Sequence, residues 1–280
     1  MQRLAIGLAL VAIAIAITSD AWTDMFHIAQ RDGESNYAFL VPAIAAWLAW
    51  VRIGRLRHCR VTGTWAGPVI IVAGWLMYSL GDRFMWQSVW HSGAIVILIG
   101  CIVSVTGKQL LLDLLPAFVA LFFMVPVPGR ARQQIALPLQ TITAQITQQT
   151  FEMFGVMVER SGNLLSINGV NVAVVEACNG LRMIFALTLV SYAFAFSSPL
   201  RGYVRALVLI ASPLSAVFCN VARLVPTVWI YGHYSTGVGD RFHSISGWVT
   251  LFVAFFILVG LIRFLRWSMV PVSHFVLAYD

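Results

Sequence analysis

The chain has 280 residues, 60% of them hydrophobic and only 10% charged, and its mean hydropathy is +0.85. That is more apolar surface than a water-soluble core of this size can absorb, which excludes a soluble globular domain and makes a lipid bilayer the solvent. The formal net charge of +7 sits mainly beside apolar runs, as topology determinants do, and does not point to nucleic acid.

Taken in chain order, apolar runs long enough to cross a hydrocarbon core of about 30 Å fall at 4–19, 37–51, 65–80, 91–106, 110–127, 180–198, 203–221 and 247–264. They predict an all-α integral membrane protein of eight transmembrane helices in a single polytopic domain covering 1–280. The first run follows Arg3 and shows no small-x-small cleavage pattern before Asp20, so it reads as a retained helix and not as a removed signal peptide. Between the fifth and sixth runs lies an insertion over 128–178. Within it, Gln133 to Gln149 is too polar to span, yet it carries Ile135, Leu139, Ile142 and Ile146 near helical spacing, the pattern of a small amphipathic helix lying in the interface. Asn168-Gly169, set between apolar residues, then signals a short β-hairpin before helix six.

Short loops retain Arg and Lys on the cytoplasmic side. Arg52, Arg55, Arg57 and Arg60, with no acid among them, therefore set that loop inside. Alternation from it puts the N-terminus inside and the insertion outside, in a multi-pass protein of the plasma (inner) membrane. Ten Trp, seven Tyr and 18 Phe suit its two interfaces.

The four cysteines have no C-x-x-C spacing and no accompanying histidines at zinc-ligand intervals, so neither a metal nor another cofactor is expected. What the topology does is bring three reactive side chains to one depth at the outer interface. Cys178, with Glu176 close by, precedes helix six; Arg223 follows helix seven; His243 precedes helix eight. A nucleophile, a cation and an imidazole at one membrane level can form a site.

Each has a plainer reading beside the chemical one. Cys178 stands before Asn179-Gly180 and a helix start, where the helix dipole acidifies a thiol; it also fits a buried structural cysteine, or one joined to Cys219 in a disulfide. The guanidinium fork of Arg223 can hold a thiolate or an oxyanion, with Asn220 one turn earlier to orient it, or it can snorkel to the interface. His243 can take up and return a proton near neutral pH, or it is one more interfacial histidine like His27, His91, His233 and His274. Glu176 is placed to orient His243 or a substrate amide, and Gly180 lets a substrate backbone come close.

The blocks Glu176-Ala-Cys-Asn-Gly-Leu181, Asn220-Val-Ala-Arg223 and His243-Ser-Ile-Ser-Gly247, with the proline-ending segment Leu115 to Pro128, resemble the exosortase/archaeosortase family of membrane-embedded cysteine transpeptidases. The resemblance implies that Cys178, Arg223 and His243 are the catalytic set. It implies as substrate an exported, membrane-anchored protein with a C-terminal sorting signal, made of a short motif, a transmembrane helix and a basic end. Cleavage at the outer face would pass through a Cys178 thioester, resolved by water or by a lipid or glycan acceptor. Ser35-Asn36-Tyr37 departs from a Ser-His-Gly-like element of the family, which puts a role for that loop in doubt. The rival classes are a small transporter, with Arg223 and His243 lining a path, and a non-catalytic assembly factor for surface polysaccharide; both predict that Cys178→Ala is tolerated.

Overall fold

The computed structural model describes residues 2–52, 64–173 and 180–267. Arg55, Arg57 and Arg60 of the basic loop lie outside the described residues. The chain divides into two compact units, Met1–Pro128 and Gly129–Asp280.

In the first unit, α1 (Gln2–Ile17) and α2 (Ser19–Arg31) form a pair bent by 69°. The break has a local cause. Thr18 donates its hydroxyl to the Ala14 carbonyl at 2.7 Å and accepts the Trp22 indole N–H at 2.9 Å. Beyond it α2 is amphipathic, burying Ala21, Met25 and Ala29 at intervals of four. Helix α3 (Val41–Val51) follows a 3-10 turn (Asn36–Leu40), with Pro42 in its first turn where a missing N–H costs nothing. Helices α4 (Ala66–Arg83) and α5 (Gln87–Thr106) make the most intimate pairing in the chain.

Glycines explain that pairing. Gly67, Gly74 and Gly81 recur every seventh residue on α4, as Gly93 and Gly100 do on α5. A Cβ at Gly67, Gly81 or Gly93 would overlap the backbone of Ser104, Trp90 or Tyr78, and one at Gly74 would lie 2.7 Å from the Ile97 nitrogen. The helices meet backbone to backbone, as small residues allow within a membrane. Around them Ile95, Ile99 and Val103 of α5 pack with Leu110, Leu114 and Phe118. The fifth apolar run is not one helix. Among the described residues it is divided into α6 (Lys108–Asp113), α7 (Leu115–Leu121), which has a proline in its first turn, and a 3-10 turn (Phe122–Met124).

The second unit opens with α8 (Gly129–Met153), which carries Pro138 in its interior. It buries Ala136, Gln140, Thr143, Ala144, Thr147 and Phe151, while Ile135, Ile142 and Ile146 are exposed. The apolar stripe visible in the sequence is therefore the outward one, and the buried face is the more polar. After α8 come three short strands, β1 (Glu159–Ser161), β2 (Leu164–Ile167) and β3 (Val170–Ala173), antiparallel in the order β1-β2-β3. Helices α9 (Leu181–Ser197), α10 (Gly202–His233) and α11 (Thr236–Trp267) follow. Met183 and Leu187 of α9, Ala216 and Cys219 of α10, and Ala254 and Leu258 of α11 share one cluster. A second cluster joins Ala144 and Phe151 of α8, Leu165, Ile167 and Val172 of the sheet, and Leu224 and Val228 of α10. The sheet thus rests on the C-terminal half of α10.

Among the described residues three helices, α5, α10 and α11, are long and apolar enough to cross a membrane, and the number rises to five when each of two bent pairs counts as one span. Asn36–Val51 and Leu181–Ser197 are shorter apolar helices. Among the described residues the fold is a predominantly helical membrane protein with three to five candidate spans, against the eight apolar runs of the sequence.

Candidate active site

Asn220 and Arg223 lie on the buried side of α10, 0% and 8% exposed. A guanidinium withdrawn from water is costly unless its donors are met. Arg223 Nη2 donates to Asn220 Oδ1 at 2.8 Å, and this bond fixes one arm of the fork. Asn220 is in turn gripped from the other side. Gly180, the residue before α9, adopts a left-handed φ of 82°, and a Cβ there would lie 3.0–3.1 Å from the Asn220 side chain. The backbone angle favours glycine, and the contact leaves little room for a side chain.

Helix α11 also packs on α10. Tyr231 near the end of α10 donates its hydroxyl to Asp240 Oδ1 at 2.6 Å, and its ring lies against Gly239, where a Cβ would overlap it. Further along, a Cβ at Gly247 would stand 3.0 Å from Arg223 Nη1. Gly239, His243 and Gly247 recur every fourth residue and so share one face of α11. The two glycine contacts belong to one antiparallel register, Tyr231 with Gly239 and Arg223 with Gly247, which sets His243 opposite Thr227. Thr227 itself donates its hydroxyl to the Arg223 carbonyl at 2.8 Å. His243 is half-buried and within electrostatic reach of Arg223, Arg182 and Asp240.

Of the residues singled out from the sequence, Gly180, Asn220, Arg223 and His243 therefore gather in the second unit. Glu176, Cys178 and Asn179 lie outside the described residues. Two expected positions shift. Arg223 stands inside α10, which continues to His233, and not after it; His243 stands inside α11, which starts at Thr236, and not before it. The apolar windows had ended too early, because Arg223, Pro226 and Thr227 on one side and Asp240, Arg241 and His243 on the other interrupt the apolar runs but not the helices. Cys219 is a free buried thiol and takes part in no disulfide.

Sequence reasoning passed over Gly247, Thr227 and Arg182. Gly247 and Arg182 flank singled-out residues closely, but their value is a matter of neighbours on other helices. Among the described residues no three His, Cys, Asp or Glu side chains gather as metal ligands. The arrangement can do two things chemically: a buried, held guanidinium can stabilise an oxyanion, and an adjacent imidazole can carry a proton.

Over residues 28–260 the chain matches the family of transmembrane exosortases, a stretch that contains every residue of this cluster. No curated protein and no solved structure matches the chain.

Proposed function

From the chain's membership of the transmembrane exosortase family, which carries a membrane transpeptidase type of role, we propose that it is a cysteine transpeptidase acting on the C-terminal sorting signals of exported proteins at the outer face of the plasma membrane. In this reading the eight apolar runs are its spans, the N-terminus is inside, and Cys178 is the nucleophile.

His243 takes the thiol proton of Cys178, the thiolate attacks the scissile carbonyl carbon, and Arg223 stabilises the oxyanion that forms. As the C–N bond breaks, His243 gives the departing amine its proton, leaving a thioester on Cys178. An amine or hydroxyl of a lipid or glycan acceptor, or water, then attacks this thioester. His243 takes the incoming proton, and the Cys178 sulfur leaves as a thiolate, which restores the starting thiolate and imidazolium. Asn220 holds Arg223, Gly180 holds Asn220, and Glu176 and Asn179 flank the thiol in a supporting role.

The observation that carries this reading is the hold on Arg223. A buried arginine fastened to Asn220 is not snorkelling, and the glycine that seats Asn220 comes two residues after Cys178 in the chain. The test is processing of a co-expressed membrane-anchored substrate with a tagged C-terminal tail by wild type, Cys178→Ser, Arg223→Ala and His243→Ala, each checked for arrival in the membrane. Loss of cleavage in all three is expected. Normal cleavage by Cys178→Ser would remove the nucleophile and return the transporter reading.

A further inference from the structure

The sheet of the second unit ends on β3, and β3 is an edge strand. In the order β1-β2-β3 one side of β3 faces β2, and among the described residues no strand pairs with the other side. The turn decides which backbone groups face that open side. Asn168 and Gly169 have φ of 50° and 76°, the mirror-image turn of a two-residue hairpin, so the flanking pair Ile167 and Val170 exchanges hydrogen bonds. Bonded and non-bonded pairs alternate along an antiparallel ladder. Val172 with Leu165 is then the next bonded pair, and Asn171 and Ala173, opposite Ser166 and Leu164, turn their N–H and C=O groups away from β2.

Exposed edges invite pairing by another chain, and proteins blunt them with charge, proline or bulges. β3 reads Val-Asn-Val-Ala and has neither charge nor proline. Asn171 and Ala173 are both exposed.

The strand is also held rigidly and aimed. Asn168 Nδ2 donates to the Gly232 carbonyl at 3.2 Å, and a Cβ at Gly232 would lie 2.5 Å from Ile167 Cγ2. These contacts fasten the hairpin tip to the end of α10. Val172, on the covered face of β3, packs with Leu224 and Val228. From a tip fastened at Gly232, β3 returns to a cluster that it shares with Leu224, the neighbour of Arg223. In the chain it leads to Cys178 and on to Gly180, which seats Asn220.

We propose that the open edge of β3, through the main-chain groups of Asn171 and Ala173, binds the extended recognition segment of the substrate as an added strand and so delivers its scissile bond to Cys178. This rests on the cysteine transpeptidase reading above. Strand addition supplies affinity through main-chain hydrogen bonds and leaves alternate substrate side chains to confer selectivity. A substrate whose exported part lies outside and whose membrane helix follows C-terminally runs in the same direction as β3, so the added strand is parallel to it.

Asn171→Pro and Ala173→Pro test the proposal, because each removes an outward N–H and sets a ring on the open side while the bonds of Val170 and Val172 to β2 remain. Each is expected to lower processing of a co-expressed substrate, built of an exported domain, a short motif, an apolar helix and a basic tail, by about 10-fold, the size of losing roughly one main-chain hydrogen bond. Alkylation of Cys178 by a small maleimide, read against a Cys178→Ser background, should keep its wild-type rate.

A second measurement does not depend on how well proline is accommodated. Ala173→Cys in a chain otherwise free of cysteine should form a disulfide with a single cysteine stepped through the substrate motif. Wild-type processing by both proline variants, or a disulfide formed only between the Ala173→Cys positions of two copies, would overturn the strand-addition site. If Cys178→Ser itself processes the substrate normally, the transpeptidase reading fails instead, so the two failures are distinguishable.

Discussion

The two units each hold a histidine at a helix beginning, and the structure treats them in opposite ways. His91, near the start of α5, is fully buried, and its Nε2 lies 3.0 Å from Asp24 Oδ2, an oxygen that also accepts from Gln87 Nε2 at 2.9 Å. Its other ring nitrogen is buried with no hydrogen-bond partner among the described residues. Such an imidazole ties α2 to α5 and is closed to solvent. His243 is half-buried, faces the charges of Arg223 and Arg182, and has the carboxylate of Asp240 in reach. Hydropathy and residue type alone would rank the two alike. What separates them is access and the company each keeps: one is a buried clamp, the other is partly open and set among charges.

That contrast sets the order of expected effects. The largest is on chemistry: His243→Ala or Arg223→Ala should reduce substrate processing by about 10²-fold or more, the usual loss for a proton carrier or an oxyanion donor, while His91→Ala leaves the per-molecule cleavage rate near wild type. Equal losses in both histidine variants would erase the distinction. Arg223→Lys should recover little, since an ammonium cannot keep one arm on Asn220 Oδ1 and present another.

Next in size is packing in the first unit. Gly81→Ala forces a methyl into the Trp90 backbone and should lower thermal stability by about 1–3 kcal/mol, read as a reduced melting temperature in detergent; an unchanged melting temperature would mean that α4 and α5 pair less closely. The corresponding change in the second unit, Gly247→Ala, meets the end of a side chain and not backbone, Arg223 Nη1 at 3.0 Å. It should be well folded, with kcat down by about 10-fold and KM nearly unchanged, because a displaced guanidinium weakens transition-state contacts more than substrate binding. A rise in KM alone would assign Gly247 to binding. The smallest effect is expected from Asp24→Asn, where an amide still meets His91 and Gln87, and about 1 kcal/mol of stability is lost with no change in processing.

How much of this was legible beforehand differs from element to element. The three blocks around Cys178, Asn220 to Arg223 and His243 marked the family, and that resemblance holds over residues 28–260, since a short motif keeps its residues and spacing in any one chain. The run at 91–106 was found as α5 because it is apolar all round. Helix α2 was missed: Asp20, Asp24 and Arg31 make its average neutral, although the buried stripe of Ala21, Met25 and Ala29 has helical period. The ends of α10 and α11 were misjudged for the same reason, since hydropathy records where a helix is greasy and not where it stops. On α8 the apolar stripe was visible, but nothing in the sequence said that Gln140, Thr143 and Thr147 would be the face turned inward.

Composition and local pattern by themselves determined that this chain lives in a membrane and that it is mostly helix, because these follow from a residue and its near neighbours in sequence. Only the tertiary structure decided that Arg223 is faced by Gly247, that Gly180 seats Asn220, and that His91 is a clamp. Those properties belong to contacts between distant segments, and a side chain's freedom to act is set by what packs against it.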